Sequence, residues 1–131
     1  MMYQTTPYSE LYSRLTVETA IVTFTKKDDS FRIMLATRNM GTWQMLDSCN
    51  SATLGGHDKR CNITNKNLAV MDLEIGEPRS FSTTRLINVE FLGEIDTPEK
   101  LEKAFVRFEQ AREEFMAEIE NHKDITMDML D

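Results

Sequence analysis

Between residues 17 and 25 the side chains alternate, with Ala20, Val22 and Phe24 on one side of an extended chain and Val17, Thr19, Ile21 and Thr23 on the other. Mostly β-branched or aromatic, these residues suit a pleated surface and predict a strand. Five polar turn formers, Lys26-Lys27-Asp28-Asp29-Ser30, interrupt the pattern before Phe31-Arg32-Ile33-Met34-Leu35-Ala36-Thr37 resumes it, which predicts a hairpin. A third strand is read at residues 67–73, a turn at Glu74-Ile75-Gly76-Glu77, and a fourth strand at Pro78-Arg79-Ser80-Phe81-Ser82, with proline at its first position. Thr83-Thr84-Arg85 is a single polar turn, and residues 86–92 alternate again as a fifth strand that stops at Gly93.

Two stretches change period from two to 3.6. Thr6-Pro7 followed by Tyr8, Leu11, Tyr12 and Leu15 predicts a helix of two to three turns, with threonine capping the orphan amides and proline in the first turn. Thr97-Pro98 repeats that start and opens a longer helix whose Leu101, Ala104, Phe105, Phe108, Ala111, Phe115, Met116 and Ile119 form one stripe. Glu102, Lys103, Glu109, Glu113 and Glu120 fall opposite, as on a solvated face. This helix is expected to end near Asn121-His122, leaving an acidic tail beaded with Ile125, Met127, Met129 and Leu130. Twenty-odd helical residues span about 30 Å, more than the width of a small barrel, so the end bearing Phe115, Met116 and Ile119 is expected to project.

Residues 38–66 show no sustained period and read as a long loop between strands, a length usually reserved for function or for an insertion with structure of its own. The predicted fold is α+β: a small five-stranded SH3-like or Sm-like antiparallel barrel with a short N-terminal helix and a long C-terminal acidic helix. Two units are expected, residues 1–96 with the barrel and its loop, and residues 97–131 with the amphipathic helix and tail.

Composition alters this picture in only a few places. The 131 residues are enough for one domain that holds a core without metal or disulfide support. Two cysteines, Cys49 and Cys61, are too few for a disulfide framework, and no charged-then-apolar leader is read at the start, so a reduced, cytoplasmic protein is expected. Uninterrupted apolar runs reach only about four residues against the ~20 of a spanning helix, so no membrane role is expected. The net charge of −7 argues against nonspecific duplex binding. Its distribution is uneven: residues 97–131 hold ten acidic side chains against five basic, whereas residues 26–66 hold seven basic against four acidic.

Candidate chemistry concentrates in the long loop. Cys49, His57 and Cys61 could be metal ligands, but structural zinc takes four, usually from closely spaced pairs, so two small thiols and a loop histidine are the simpler reading. A Cys/His nucleophile pair would also need an oxyanion site and an orienting group, which the residue types alone do not specify. Gly55-Gly56-His57-Asp58-Lys59-Arg60 has glycines that free amides for an anion, yet lacks the Gly-Lys-Ser/Thr ending of a nucleotide loop. Trp43 is a buried anchor or a partner contact. No cofactor and no enzyme activity are expected.

Residues 22–28 (VTFTKKD), 32–39 (RIMLATRN) and 68–81, with Asp72-Leu73, Gly76-Glu77 and Arg79-Ser80-Phe81, occur in an order that resembles a family of small phage and bacterial proteins with a WYL-like, Sm-type SH3 β-barrel. Asp29-Ser30 stands where that family usually has a turn glycine. The 55–62 loop and the C-terminal helix look like elaborations of T-even-type phage members. The resemblance implies a regulatory module rather than a catalyst, acting in the host cytoplasm. The first expectation is a phage-encoded interaction protein that binds a host macromolecule, RNA polymerase foremost, and modulates transcription through Trp43, Lys59, Arg60, Phe115, Met116 and Ile119. The alternative, a WYL-like regulatory or anti-defence module, would hold a nucleotide or oligonucleotide with Arg32, Arg38, Gly55, Gly56, His57, Arg79 and Arg85. Homodimerisation through the C-terminal helix fits either.

Overall fold

The protein is described by a computed structural model, which covers residues 6–46 and 66–130, with side chains as far as Glu120. The described residues form five antiparallel strands and three α-helices: α1 (Tyr8–Val17), β1 (Thr19–Thr25), β2 (Phe31–Thr37), α2 (Met40–Trp43), β3 (Asn67–Asp72), β4 (Glu77–Ser82), β5 (Leu86–Phe91) and α3 (Pro98–Leu130). The turn expected before β5 is a 3₁₀ helix, Thr83–Arg85. One sheet holds all five strands in the order β4-β3-β2-β1-β5.

Hydrogen bonding sets the element ends. Val17, expected in the first strand, is the last residue of α1, because Glu18 turns extended while its amide still reaches the Arg14 carbonyl at 2.6 Å. The end of β2 then satisfies the helix's leftover carbonyls: the Arg38 amide donates to Leu15 at 2.8 Å and the Asn39 side-chain amide to Val17 at 3.0 Å. At the start of α1 the cap position belongs to Pro7 and carries no side-chain hydrogen bond, one residue later than the threonine cap expected. The second Thr-Pro behaves as expected, the Thr97 hydroxyl accepting from the Lys100 amide at 3.3 Å.

In the β1–β2 turn Asp29 sits at φ +67°, which a side chain tolerates best when it is Asp or Asn. Asp28 Oδ1 braces that turn by accepting from the Ser30 amide at 3.0 Å and the Ser30 hydroxyl at 2.5 Å.

The sheet is curled. Phe24 on β1 and Phe81 on β4 stack with centroids 5.1 Å apart, although three strand spacings in a flat sheet would separate them by about 14 Å. Inside the curl lie Leu11 and Leu15 of α1 with Ala20, Val22, Met34, Leu68, Val70 and Leu86. The expected closed barrel is nevertheless not found: among the described residues β4 and β5 share no ladder and stand at opposite edges. Side chains from α1 occupy the space over the inner face that strand closure would otherwise enclose.

The other face is covered as well. Ile21, Leu35, Met71 and Leu73 pack against Trp43 of α2, against Ile95 just before α3, and against Leu101, Ala104 and Phe108 along α3. Consequently β1 is buried at all seven positions, so both sides of its alternating pattern, Thr19 and Thr23 included, are covered. The first half of α3 is therefore part of the core.

Two expectations about length are corrected. Residues 40–43 form a helical turn inside the segment read as loop, started by Asn39, whose side chain accepts from the Gly41 amide at 3.0 Å. And α3 runs to Leu130 rather than stopping near Asn121-His122: no glycine or proline follows Pro98, and asparagine and histidine are weak helix formers, not breakers.

Candidate functional site

Most of the arginines singled out from sequence are engaged by the chain itself, and the four are not gathered. Arg32 is the second residue of β2 and Arg38 follows its last, six residues and therefore about 20 Å apart, so sharing a strand face does not bring them together. Arg38 lies over the Tyr12 ring at 4.3 Å, and its guanidinium donates to the Tyr12 hydroxyl at 3.1 Å and to the Ala69 carbonyl. Arg79 pairs with Asp72 at 3.1 Å. Arg85 donates to the Lys26 carbonyl at 2.8 Å and pairs with Asp29 at 3.1 Å, tying the 3₁₀ turn to the β1–β2 hairpin. Burial pushes the Asp72 carboxyl up, while Arg79, the Ile75 amide and Arg32 pull it back down.

Trp43, for which a buried anchor and a partner contact were both open, is 1% exposed. Its indole N–H points at the Met40 sulfur 2.9 Å away, and Thr42 beside it donates to the Ile95 carbonyl at 2.8 Å. These contacts fasten α2 to the segment leading into α3 and make Trp43 an internal anchor. Gly55, Gly56, His57, Lys59, Arg60, Cys49 and Cys61 lie outside the described residues. Among the described residues no group of three or more His, Cys, Asp or Glu could hold a metal ion, and no helix is long and apolar enough to cross a membrane.

The remaining predicted contacts lie on α3. Phe115 is half-buried and meets Phe31 at the start of β2 edge-on, with centroids 5.5 Å apart. Ile119 is half-buried, and Met116 is 55% exposed. Between Glu113 and Glu120 only Phe115 and Ile119 are partly covered, and the other side chains are exposed.

Beside Phe115 the helix and sheet part to form a groove of about 180 Å³. Ile21 and Thr23 of β1, Ile33 of β2 and Ile87 of β5 line it from the sheet, with Ala111 and Phe115 from α3. Ile87 reaches this side through a bulge: Thr23 pairs with Asn88 but Phe24 pairs with Leu86, leaving Ile87 as the extra residue. Asn88, Glu90, Arg107, Glu114 and Glu118 supply the polar lining.

An ion network holds the two walls at their spacing. Arg107 on α3 forks onto Glu90 of β5, with N–O distances of 2.7 and 2.8 Å, and its third nitrogen reaches Glu114 at 3.3 Å. The forked bond holds the Glu90 carboxyl below the usual carboxylate range and raises Arg107 above its own. Arg112 adds a second tie, pairing with Glu74 in the β3–β4 turn while lying over the Phe108 ring at 4.4 Å.

Phe115 is legible in the sequence but the groove is not, because its walls come from four elements spread over the chain. The spacing of Arg107, Ala111, Glu114 and Glu118 was the available signal, since it places them along one side of a helix. No protein-family model, curated protein or solved structure matches the chain.

Proposed function

We propose that this is a non-enzymatic, phage-encoded interaction protein that presents α3 to a basic surface of a host macromolecule and so modulates transcription, host RNA polymerase being the foremost candidate. The observation that carries this reading is the division of α3. Its first half is locked into the core by Leu101, Ala104 and Phe108, whereas the stretch around Glu113, Met116 and Glu120 is exposed. A rigid acidic rod anchored at one end matches a surface that normally holds nucleic acid, where complementary potentials speed encounter and set orientation. The partner contacts are then Phe115, Met116 and Ile119.

The small-barrel reading belongs with this proposal. A leading helix, the strand order β4-β3-β2-β1-β5, the curl and a 3₁₀ turn before β5 support an SH3-like, Sm-type relationship. The engaged positions of Arg38, Arg79 and Arg85 favour docking over nucleotide capture.

The test is co-elution with purified host RNA polymerase in gel filtration at rising salt. The natural protein is expected to co-elute and to dissociate as salt rises, and the variant Glu113→Lys/Glu120→Lys to bind at least tenfold more weakly. If neither form binds at low salt, polymerase is not the partner.

A further inference from the structure

The groove beside Phe115 has chemistry that narrows what could enter it. At about 180 Å³ it is smaller than the ~300–1,000 Å³ of typical small-molecule sites, and it suits one or two side chains of a polypeptide. Its floor is apolar, from Ile33, Ile87, Ala111 and Phe115, and its rim is acidic. Arg107 adds little positive field there because Glu90 and Glu114 already embrace it. Glu114 and Glu118 are four residues apart on one helix face, a like-charged pair that disfavours the helix until a cation lies between them. Among the described residues, Glu118 has no cationic partner. Nucleic acid is repelled by this rim, and a second copy of α3 would bring the same carboxylates.

We propose that this groove seats a basic, extended segment of a partner protein, a lysine or arginine laying its methylenes on Ala111 and Phe115 and its charged head between Glu114 and Glu118. Long cationic side chains cover apolar surface with their stems while the charge stays at a polar edge, and the groove offers both halves of that arrangement within about two helical turns. The exposed Asn88 of edge strand β5 lies on the opposite wall, where it can take a hydrogen bond from an extended backbone. This assignment rests on the reading of α3 as a docking element and specifies where on it the partner is read.

The probe is a short blocked peptide alternating leucine and lysine, titrated into isotope-labelled full-length protein, with a leucine–glutamate peptide as control. The basic peptide is expected to shift the amides of Ile33, Ile87, Asn88, Ala111 and Phe115, and the acidic one to leave them still. Glu114→Gln/Glu118→Gln is expected to weaken binding about tenfold, and Ala111→Leu, which fills the floor, to remove the groove shifts. Both variants are first checked for natural far-ultraviolet circular dichroism and Trp43 emission. Shifts confined to Glu113, Met116 and Glu120, or a titration indifferent to Ala111→Leu, would overturn the groove while leaving the acidic rod able to bind polymerase. Groove shifts that appear with rising protein concentration and no peptide would assign the site to a second copy and overturn it as well. Because polymerase is absent from this experiment, its failure to bind elsewhere does not decide the groove.

Discussion

Two carboxylates in this protein respond to pH in opposite directions. Glu90 is held low by Arg107, so its stabilisation is complete above the unfolded carboxylate range and is lost as pH falls through the lowered folded value. Asp72, 3% exposed, is pushed up chiefly by burial, so its charge costs stability as pH rises from about 4 through its raised folded value. Denaturant midpoints between acid and neutral pH are therefore expected to separate the two. Glu90→Gln should flatten the acid fall in stability. Asp72→Asn, which keeps an oxygen to accept from the Glu74 amide at 3.0 Å, should remove the decline above about pH 4. If neither variant changes its part of the profile, these two groups do not govern it. Trp43 gives an independent residue-level reading: as the sole tryptophan, buried to 1% exposure, it should emit in the blue and resist acrylamide until the protein unfolds. Trp43→Ala should cost about 3–5 kcal/mol, as large-to-small changes at well-packed sites do.

Among the elements, α3 carries a steep gradient from structural to free. Phe108, 1% exposed in the same cluster as Trp43, should cost about 3–5 kcal/mol when cut to alanine. Met116, two turns further on and 55% exposed, should stay within about 0.5 kcal/mol. Urea melts of the two variants check this, and similar costs would mean that the distal helix is packed too. The sequence made the apolar stripe of α3 readable, because spacings of three and four persist from Leu101 to Phe115. It misplaced the end, since Asn121-His122 looks like a terminus when propensity is read without asking whether anything breaks the helix. The turn of α2 escaped because four residues cannot display a period, although Asn39 before it was a legible cap. Val17 went to the wrong element because a β-branched residue beside a strand looks like its first member. What settles the boundary is the pairing of β2 with α1's carbonyls, a contact more than twenty residues away. The groove was invisible for the same reason, as Ile21, Ile33, Ile87 and Ala111 each read as ordinary core.

At the scale of the whole molecule, the sheet stands between two apolar clusters and contributes side chains to both. Ala20, Val22 and Phe24 of β1 face α1, while Ile21 of the same strand faces α2 and α3. A strand buried on both sides cannot release one cluster and keep the other, because losing either leaves half its side chains against water. Unfolding should therefore be a single transition in which a lesion on one face is felt on the other. Leu15 of α1, 0% exposed, lies in the inner cluster, across the sheet from Trp43. Leu15→Ala should cost about 2–5 kcal/mol, and the Trp43 emission midpoint in urea should fall by the same amount as the circular dichroism midpoint. A Trp43 transition that stays in place while the dichroism shifts would show that the helical face holds together without the inner core. In that case α3 would be a separable arm, and its anchorage, on which the docking reading rests, would have to come from α2 and the Arg107 and Arg112 ion pairs alone.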